Sequence, residues 1–317
     1  MVRLANEQLG WDSFFECQLV DSEAELWRLR IDAVHRGRLT GLMDAEQFEI
    51  ELPARADTAH FAVGDWVLVN PHTKALHRRL DRRTLLQRPG EGKRPTQLVA
   101  ANVDTLFIVA SCNADFNLAR LERYLAFAND AGTNPVIVLT KADVADDAQD
   151  FARQAATLQR GLAVVTINAR SADAVTALRP WCGPGSTIAI VGSSGVGKST
   201  LVNNLVASGS QLPQQTGSVR PSDSKGRHTT TARSLHAMAG GGWVIDTPGV
   251  RSLHMKDLGQ GLDVLFAEIT ELAPSCKFRN CTHDHEPGCA VRAAVASGTL
   301  DPDRLTRWRK LHTESRA

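Results

Sequence analysis

The chain has 317 residues, 43% of them hydrophobic and 22% charged, with a formal net charge of +1. That length holds two or three domains, each able to bury a core, and the composition excludes a disordered or fibrous chain. No apolar run approaches the roughly 20 residues that cross a bilayer. The start, MVRLANEQLGWDSFF, has no continuous apolar segment after a basic one. Neither a membrane contact nor a secretory signal is expected, and the chain reads as cytoplasmic.

In chain order, residues 1–30 are mixed and carry no clear element signal. From 31 to about 88, short alternating runs with turn residues (WRLRIDAVHRGRLTGLM, EQFEIELPAR, FAVGDWVLVN, KALHRRL) suggest the strands of a small barrel. In HRRLDRRTLLQRPGEGKR, residues 77–94, seven Lys or Arg stand against two acidic residues, an excess of five. Two readings fit that run: a solvated surface loop, or a phosphate-contacting patch centred on Arg78, Arg79, Arg82 and Arg83. RPGEGKRPTQ, residues 88–97, reads as a linker or mobile loop.

From 98 to 191 the texture changes to apolar runs alternating with helical segments. VDTLFIVAS, NPVIVLT, AVVTIN and STIAIVG are strands, and NLARLERYLAFANDAG and DDAQDFARQAATLQRG are helices. That alternation implies a parallel sheet covered on both faces. From 256 onward a separate unit of helical pieces surrounds a Cys/His cluster. The expected architecture is therefore multidomain: an extension (1–30), a barrel (31–97), an α/β unit (98–255) and a mostly helical C-terminal unit (256–317).

GSSGVGKST fits G-x-x-x-x-G-K-[ST] directly after the strand TIAIV and before TLVNNLV. In such a loop, Gly192, Ser193, Ser194, Gly195, Val196 and Gly197 wrap their backbone N–H groups around phosphate oxygens at a helix N-terminus. Lys198 neutralises the β and γ phosphates, Ser199 ligates Mg²⁺, and Thr200 completes the turn. WVIDTPGV, residues 243–250, supplies Asp246 for the Mg²⁺ shell and the Gly249 N–H for the γ-phosphate.

Base choice falls to TKAD, that is Thr140, Lys141, Ala142 and Asp143. The Asp143 carboxylate can accept from guanine N1–H and the exocyclic amine. Adenine offers neither donor, a mismatch that discriminates by about 10⁴ or more. Lys141 lays its stem along the base. The usual motif begins with Asn, so Thr140 removes one amide contact. NARS, residues 168–171, can offer the Ala169 N–H to guanine O6.

The base motif thus precedes the phosphate loop, the reverse of the usual order. In a parallel sheet all ligand loops gather at the carboxyl ends of the strands, wherever the chain is cut, and recutting at exposed loops is tolerated. The chain reads as a circularly permuted GTPase. Its γ-phosphate-sensing segments, near 216–252, run straight into the C-terminal unit and are expected to move it.

Six cysteines are present. Cys17, Cys112 and Cys182 lie in apolar surroundings and read as ordinary buried thiols. Cys276, Cys281 and Cys289 share a fourteen-residue span with His283, giving C-x₄-C-x-H-x₅-C, three thiolates and one imidazole for a closed tetrahedral Zn²⁺. His285 is the alternative imidazole. No water position remains, so the ion would be structural.

Together the base motif before the phosphate loop, GRHTTTA between that loop and DTPG, and CKFRNCTHDHEPGC resemble the ribosome-small-subunit-dependent GTPase family over residues 30–317. The resemblance implies an N-terminal barrel of oligonucleotide-binding type, a permuted G domain and a zinc domain. It implies late maturation of the small ribosomal subunit, contact with its rRNA, and GTP hydrolysis stimulated by that subunit. It also favours His283 over His285.

Many GTPases orient the attacking water with a Gln after D-x-x-G, but Val250 stands there. His228 in GRHTTT is the candidate replacement, with a plain surface His as the other reading. Thr230 or Thr229 is the Mg²⁺-sensing hydroxyl. A monomer binding GTP and GDP is expected. A zinc-containing RNA chaperone with structural GTP, and an ATP-driven nucleic-acid enzyme, are the competing readings; Asp143 argues against the latter.

Overall fold

The computed structural model describes residues 6–44, 46–54, 56–88, 90, 96–206, 234–246 and 258–316. Alternating, turn-punctuated runs form β1 (Trp27–His35), β2 (Arg38–Met43), β3 (Glu46–Ile50), β4 (Trp66–Val69) and β5 (Leu76–Arg79). β1 pairs antiparallel with both β2 and β4, β2 with β3, and β4 with β5. A parallel bridge between Glu51 and Ala75 brings the outer strands together. The order β3-β2-β1-β4-β5 therefore curls into an oligonucleotide-binding type barrel that stays open along a seam of one bridge. Leu29, Ile31, Leu39, Ile50, Val67 and Val69 fill it.

β1 starts at Trp27, inside the stretch without an element signal. Before it, a strap of short turns includes α1 (Ser13–Glu16), capped by the Asp12 carboxylate, which accepts from the Phe14 N–H. Leu9, Trp11 and Phe15 are buried, and the rings of Trp11 and Phe15 lie 4.9 and 5.8 Å from that of Trp66. Arg30 is the polar centre of this junction, 1% exposed. It donates to the Leu9 carbonyl (2.5 Å), the Asn102 carbonyl (3.2 Å) and Thr187 Oγ1 (2.8 Å). Burial lowers its pKa to about 10, against Asp104 and Asp65, so the guanidinium stays charged at neutral pH.

Of the four patch arginines, three are ion-paired within the chain. Arg78 donates to both oxygens of the buried Glu23 (2.6 and 2.7 Å) and to the Gln18 carbonyl, which holds the Glu23 carboxyl down at about 2. Arg82 grips Asp65 with two bonds of 2.7 Å. Arg83 pairs with Asp12 and lies over Phe14 and Phe15. Arg79 donates to the Leu80 carbonyl and has no carboxylate partner among the described residues. Arg78, Arg82 and Arg83 thus pair with acids distant in sequence, contacts that fasten the strap and the barrel, while Arg78 and Arg83 stay partly exposed.

On either side of the 88–97 stretch, β6 (Leu85–Arg88) and β7 (Gln97–Ala101) pair antiparallel. Cys112 and Cys182 are buried, but Cys17 is exposed on the strap.

The α/β unit contains β8 (Thr105–Ser111), α2 (Leu118–Asp130), β9 (Asn134–Thr140), α3 (Ala148–Ala156), β10 (Ala163–Thr166), α4 (Asp173–Leu178), β11 (Thr187–Gly192), α5 (Lys198–Leu205), β12 (Ser234–Ala237) and β13 (Trp243–Asp246). The strand order is β10-β9-β8-β11-β13-β12, continuing into β1 of the barrel. Strands β10, β9, β8, β11 and β13 run parallel, and β12 runs antiparallel. The phosphate-loop strand β11 thus sits centrally, although it follows β8, β9 and β10 in the chain.

The C-terminal unit contributes α6 (Gly259–Leu265), α7 (Ala267–Leu272), α8 (Ala290–Ala296) and α9 (Pro302–Arg316). It is clamped to α2. Arg304, 6% exposed, donates to Glu122 (2.9 Å), Glu268 (2.6 Å) and the carbonyls of Leu158 and Leu265 (2.6 Å each). Arg307 reaches the same Glu122 oxygen at 2.8 Å, and Arg123 pairs with Glu314. Among the described residues no helix is long and apolar enough to cross a membrane.

Glu122 is fully buried and serves two guanidiniums at once. Replacing Glu122 with Ala takes the buried carboxylate from both guanidiniums and leaves Arg304 with Glu268 and two carbonyls. It is expected to lower stability by about 1.5–3 kcal/mol, read as a drop in the urea midpoint.

Candidate nucleotide site and metal centre

The site forms where β8, β9, β11 and β13 end. Gly192 closes β11 at φ +145°, where a Cβ would lie 2.2 Å from the Val109 carbonyl oxygen, so the turn requires glycine. Gly197, at φ +98°, caps α5 without a side-chain bond. A helix N-terminus so placed directs its first N–H groups toward an anion. Lys198 Nζ folds back on the loop, donating to the carbonyls of Gly192 (2.8 Å) and Ser193. Ser194, Gly195 and Ser199 are exposed along the loop, Val196 is buried beneath it, and Thr200 is half-buried in α5.

Thr140 ends β9 with 1% exposure. Its hydroxyl donates to the Val196 carbonyl at 2.6 Å, with the Ala110 carbonyl at 3.2 Å as a second acceptor. The contact that Thr140 seemed to remove from the base motif is thus replaced by a bond from that motif into the phosphate loop. The chain then turns sharply at Lys141 (φ +59°) into a short helical turn over Ala142–Val144 that presents Asp143 to solvent. The Ala142 N–H approaches the Ile167 carbonyl at 3.4 Å.

Ala169 is buried, and its carbonyl accepts from Asn204 of α5 at 2.5 Å. An ideal Cβ on Gly197 would sit 3.7 Å from Thr140 and 3.8 Å from Ala169. The phosphate loop, TKAD and NARS therefore meet around Gly197. Sequence reasoning missed Asn204; its one signal was a polar residue on the inner side of the helix after the phosphate loop. Asp246 ends β13 beside this site. Crowding by protein raises its carboxyl pKa, and the charges of His236 and Lys198 oppose that rise. His228, Thr229, Thr230, Gly249 and Val250 lie outside the described residues.

Separately, Cys276, Cys281, His283 and Cys289 place their ligand atoms within 4.8 Å of one another. Cys276 Sγ stands 3.9 Å from Cys289 Sγ, and His283 Nδ1 stands 3.6 and 3.4 Å from those sulfurs. Ligands about 2.3 Å from a tetrahedral Zn²⁺ stand roughly 3.8 Å apart, so the set fits one such ion. Burial lowers the His283 pKa and keeps the imidazole neutral, as a ligand must be. Burial and the neighbouring thiols push the Cys281 thiol up to about 12, a resistance to multiple thiolates that a cation removes. His285 is exposed beside Asp284, outside the set. Arg309 donates to the His283 carbonyl, and the His283 ring meets Trp308 of α9 at 5.2 Å.

Replacing Thr140 with Val keeps the shape and deletes the hydroxyl; GDP affinity is expected to fall about tenfold, measured by nucleotide titration with the circular dichroism spectrum unchanged. Stripping the Cys/His cluster with a chelator is expected to release about one zinc ion per chain and to change Trp308 emission, while GDP affinity stays within about twofold.

Comparison with known proteins extends these observations. The model of the RsgA GTPase family matches residues 79–256. The small ribosomal subunit biogenesis GTPase RsgA of Mesorhizobium japonicum is 64% identical over 307 residues, covering 97% of this chain and 89% of the relative. RsgA 2 of Vibrio parahaemolyticus, with the same description, is 44% identical over 310 residues, covering 97% and 85%. Among solved structures, YjeQ from Thermotoga maritima shares the fold with a TM-score of 0.66 at 23% identity, covering 91% of this chain and 98% of its own. YloQ, described as a circularly permuted GTPase, superposes with a TM-score of 0.63 at 27% identity, covering 93% and 97%. A phosphate loop and a base motif out of chain order but in bonded contact, together with these matches, show that the chain belongs to the RsgA GTPase family.

Proposed function

We propose that this GTPase acts on the small ribosomal subunit, binding it in the GTP state and hydrolysing GTP as late maturation completes. The observation that carries the nucleotide part is the Thr140–Val196 bond, which joins the base-reading turn to the phosphate loop across the permuted order. The subunit part rests on relatives described as small ribosomal subunit biogenesis GTPases.

In this reading Asp143 accepts from guanine, Lys141 lies along the base, and Ala169 offers its N–H to O6. The loop from Gly192 to Gly197, with Lys198 and Thr200, surrounds the phosphates. Mg²⁺ accompanies GTP at Ser199, Thr230 and Asp246 and neutralises developing phosphate charge. His228 takes the water-orienting place that Val250 leaves empty, and Gly249 meets the γ-phosphate. Zn²⁺ at Cys276, Cys281, His283 and Cys289 is structural, because four protein ligands leave no open position. The barrel meets rRNA phosphates through Arg79 and other outward cations, while Arg78, Arg82 and Arg83 hold its shape. The units divide near residues 97 and 255, and the protein works in the cytoplasm as a monomer.

Steady-state GTP turnover, titrated with small and separately with large ribosomal subunits, tests the whole reading. The expected result is at least about tenfold stimulation by small subunits, within the range that supplied catalytic groups provide, and none by large ones. Turnover unmoved by small subunits under every condition would instead favour a zinc-containing RNA chaperone with structural nucleotide.

A further inference from the structure

A stripe of polar side chains crosses the sheet from the phosphate site into the barrel. Ser234 of β12 stands opposite Asp246 of β13 on one side and Ala33 of β1 on the other. Directly opposed residues share a face, and so do residues two apart on a strand. Ser234, His236 and Asp246 therefore point to one side, and the Ser234 hydroxyl lies 2.7 Å from His236 Nε2.

Simple alternation would aim Asp32 at the other face. β1, however, has a register irregularity between Ile31 and Ala33, and such a bulge re-aims a side chain. Asp32 Oδ2 accepts from Gln47 Nε2 at 2.6 Å, and the same nitrogen reaches Thr40 Oγ1 at 3.4 Å. Thr40 stands opposite Ala33, so Asp32 has joined the face of Ala33, Ser234 and His236. Asp32 is 7% exposed, and its Oδ1 has no hydrogen-bond partner. A buried carboxylate oxygen without a donor is costly.

Burial lowers the His236 pKa, and Asp246 and Asp32 oppose that shift, as His236 and Lys198 oppose the rise at Asp246. The imidazole thus stands between a carboxylate of the nucleotide site and a carboxylate of the barrel. Neither the phosphate-loop geometry nor the Cys/His cluster accounts for this arrangement.

We propose that His236 is a positioning residue that couples the barrel to Asp246: displacement of β1 when the barrel engages RNA is passed through Asp32 and His236 to the orientation of the Asp246 carboxylate. The coupling runs through side-chain packing and the Ser234–His236 hydrogen bond and requires no change of protonation. It rests on the reading of the protein as a subunit-stimulated GTPase and names how stimulation at the barrel reaches the reacting phosphate.

The test uses the full zinc-loaded chain with small subunits. His236→Ala is expected to lower subunit-stimulated kcat about tenfold, with KM for GTP, GDP affinity and the thermal midpoint close to the parent's. His236→Asn, which keeps a donor, is expected to recover most of that loss. Asp32→Asn is expected to lower stimulated kcat similarly, and the double variant with His236→Ala to be no worse than either single one, as coupled residues behave.

The proposal is overturned if His236→Ala keeps stimulated kcat within about twofold, if the two losses multiply, or if KM rises while kcat holds. A parent chain that small subunits do not stimulate would sink the subunit reading alone; the basal kcat of the same variants then decides, an unchanged value overturning the coupling. Should His236→Ala fail to fold, Asp32→Asn against His236→Asn makes the same comparison, and equal stimulation of both to the parent's level overturns it.

Discussion

The nucleotide site depends on one hydroxyl and one carbonyl. The parallel strands β9, β8 and β11 carry their carboxyl ends to a common edge whatever the order in which the chain visits them. That brings TKAD and the phosphate loop near each other, but neighbouring loops can still slide by ångströms. The Thr140 hydroxyl, 2.6 Å from the Val196 carbonyl, removes that freedom. A hydroxyl has one proton to give, and the Ala110 carbonyl at 3.2 Å is the weaker claimant. Asn204 does the equivalent work for NARS, from the helix that begins at Lys198. The distance between the base-reading turn and the phosphate-binding turn is therefore set before a ligand arrives, and less ordering remains to oppose binding.

The junctions to the flanking units follow a second rule. Each centres on a buried guanidinium, Arg30 toward the strap and barrel and Arg304 toward the C-terminal helices. Burying a charge costs several kcal/mol unless its donors are met. Arg304 meets Glu122, Glu268 and the carbonyls of Leu158 and Leu265. Arg30 meets the carbonyls of Leu9 and Asn102 and the Thr187 hydroxyl, while its Nε has no hydrogen-bond partner among the described residues. Such carbonyls converge only when every segment has docked. A guanidinium that is expensive in any other arrangement therefore selects this one, a role better described as specification than as added stability.

These two rules explain which features were legible in the sequence. The phosphate loop, TKAD and the Cys/His spacing encode their chemistry within a few residues each, because glycine at positive φ, a turn after a buried strand and ligand spacing are all local constraints. The sheet was legible from its apolar runs. The ion pairs of Arg78, Arg82 and Arg83 were not, since a run of arginines shows nothing of the distant carboxylates of Glu23, Asp65 and Asp12 that meet it. The strap was opaque for the same reason: Leu9, Trp11 and Phe15 have no helical or alternating period and are ordered by Trp66, more than fifty residues away. Thr140 read as a loss because its partner, the Val196 carbonyl, belongs to a backbone whose position no spacing reveals.

The expectation that nucleotide-sensing segments would drive the C-terminal unit must be weighed against how that unit is held. One hydrophobic cluster runs from Leu9 and Trp66 through Leu106 and Leu125 to Phe266, Leu305 and Trp308. Cys289, Val291 and Ala294 beside the metal ligands belong to it as well. The C-terminal helices thus share the core of the α/β unit, and the Arg304–Glu122 pair locks the two together. Moving them as a body would expose apolar surface at about 25 cal/mol per Å² and strand a buried charge. The barrel's interior is a separate cluster, and among the described residues β1 meets β12 at the register pair Ala33–Ser234. The barrel is held as well, by Trp66 and Leu68 in that same shared core and by Arg30 on the Asn102 carbonyl and Thr187 Oγ1. What distinguishes it is that its strand β1 pairs directly with a strand of the nucleotide-binding sheet. Permutation placed the C-terminal unit after the phosphate-sensing residues in sequence, whereas sheet pairing places the barrel beside β12, the neighbour of the strand that ends at Asp246.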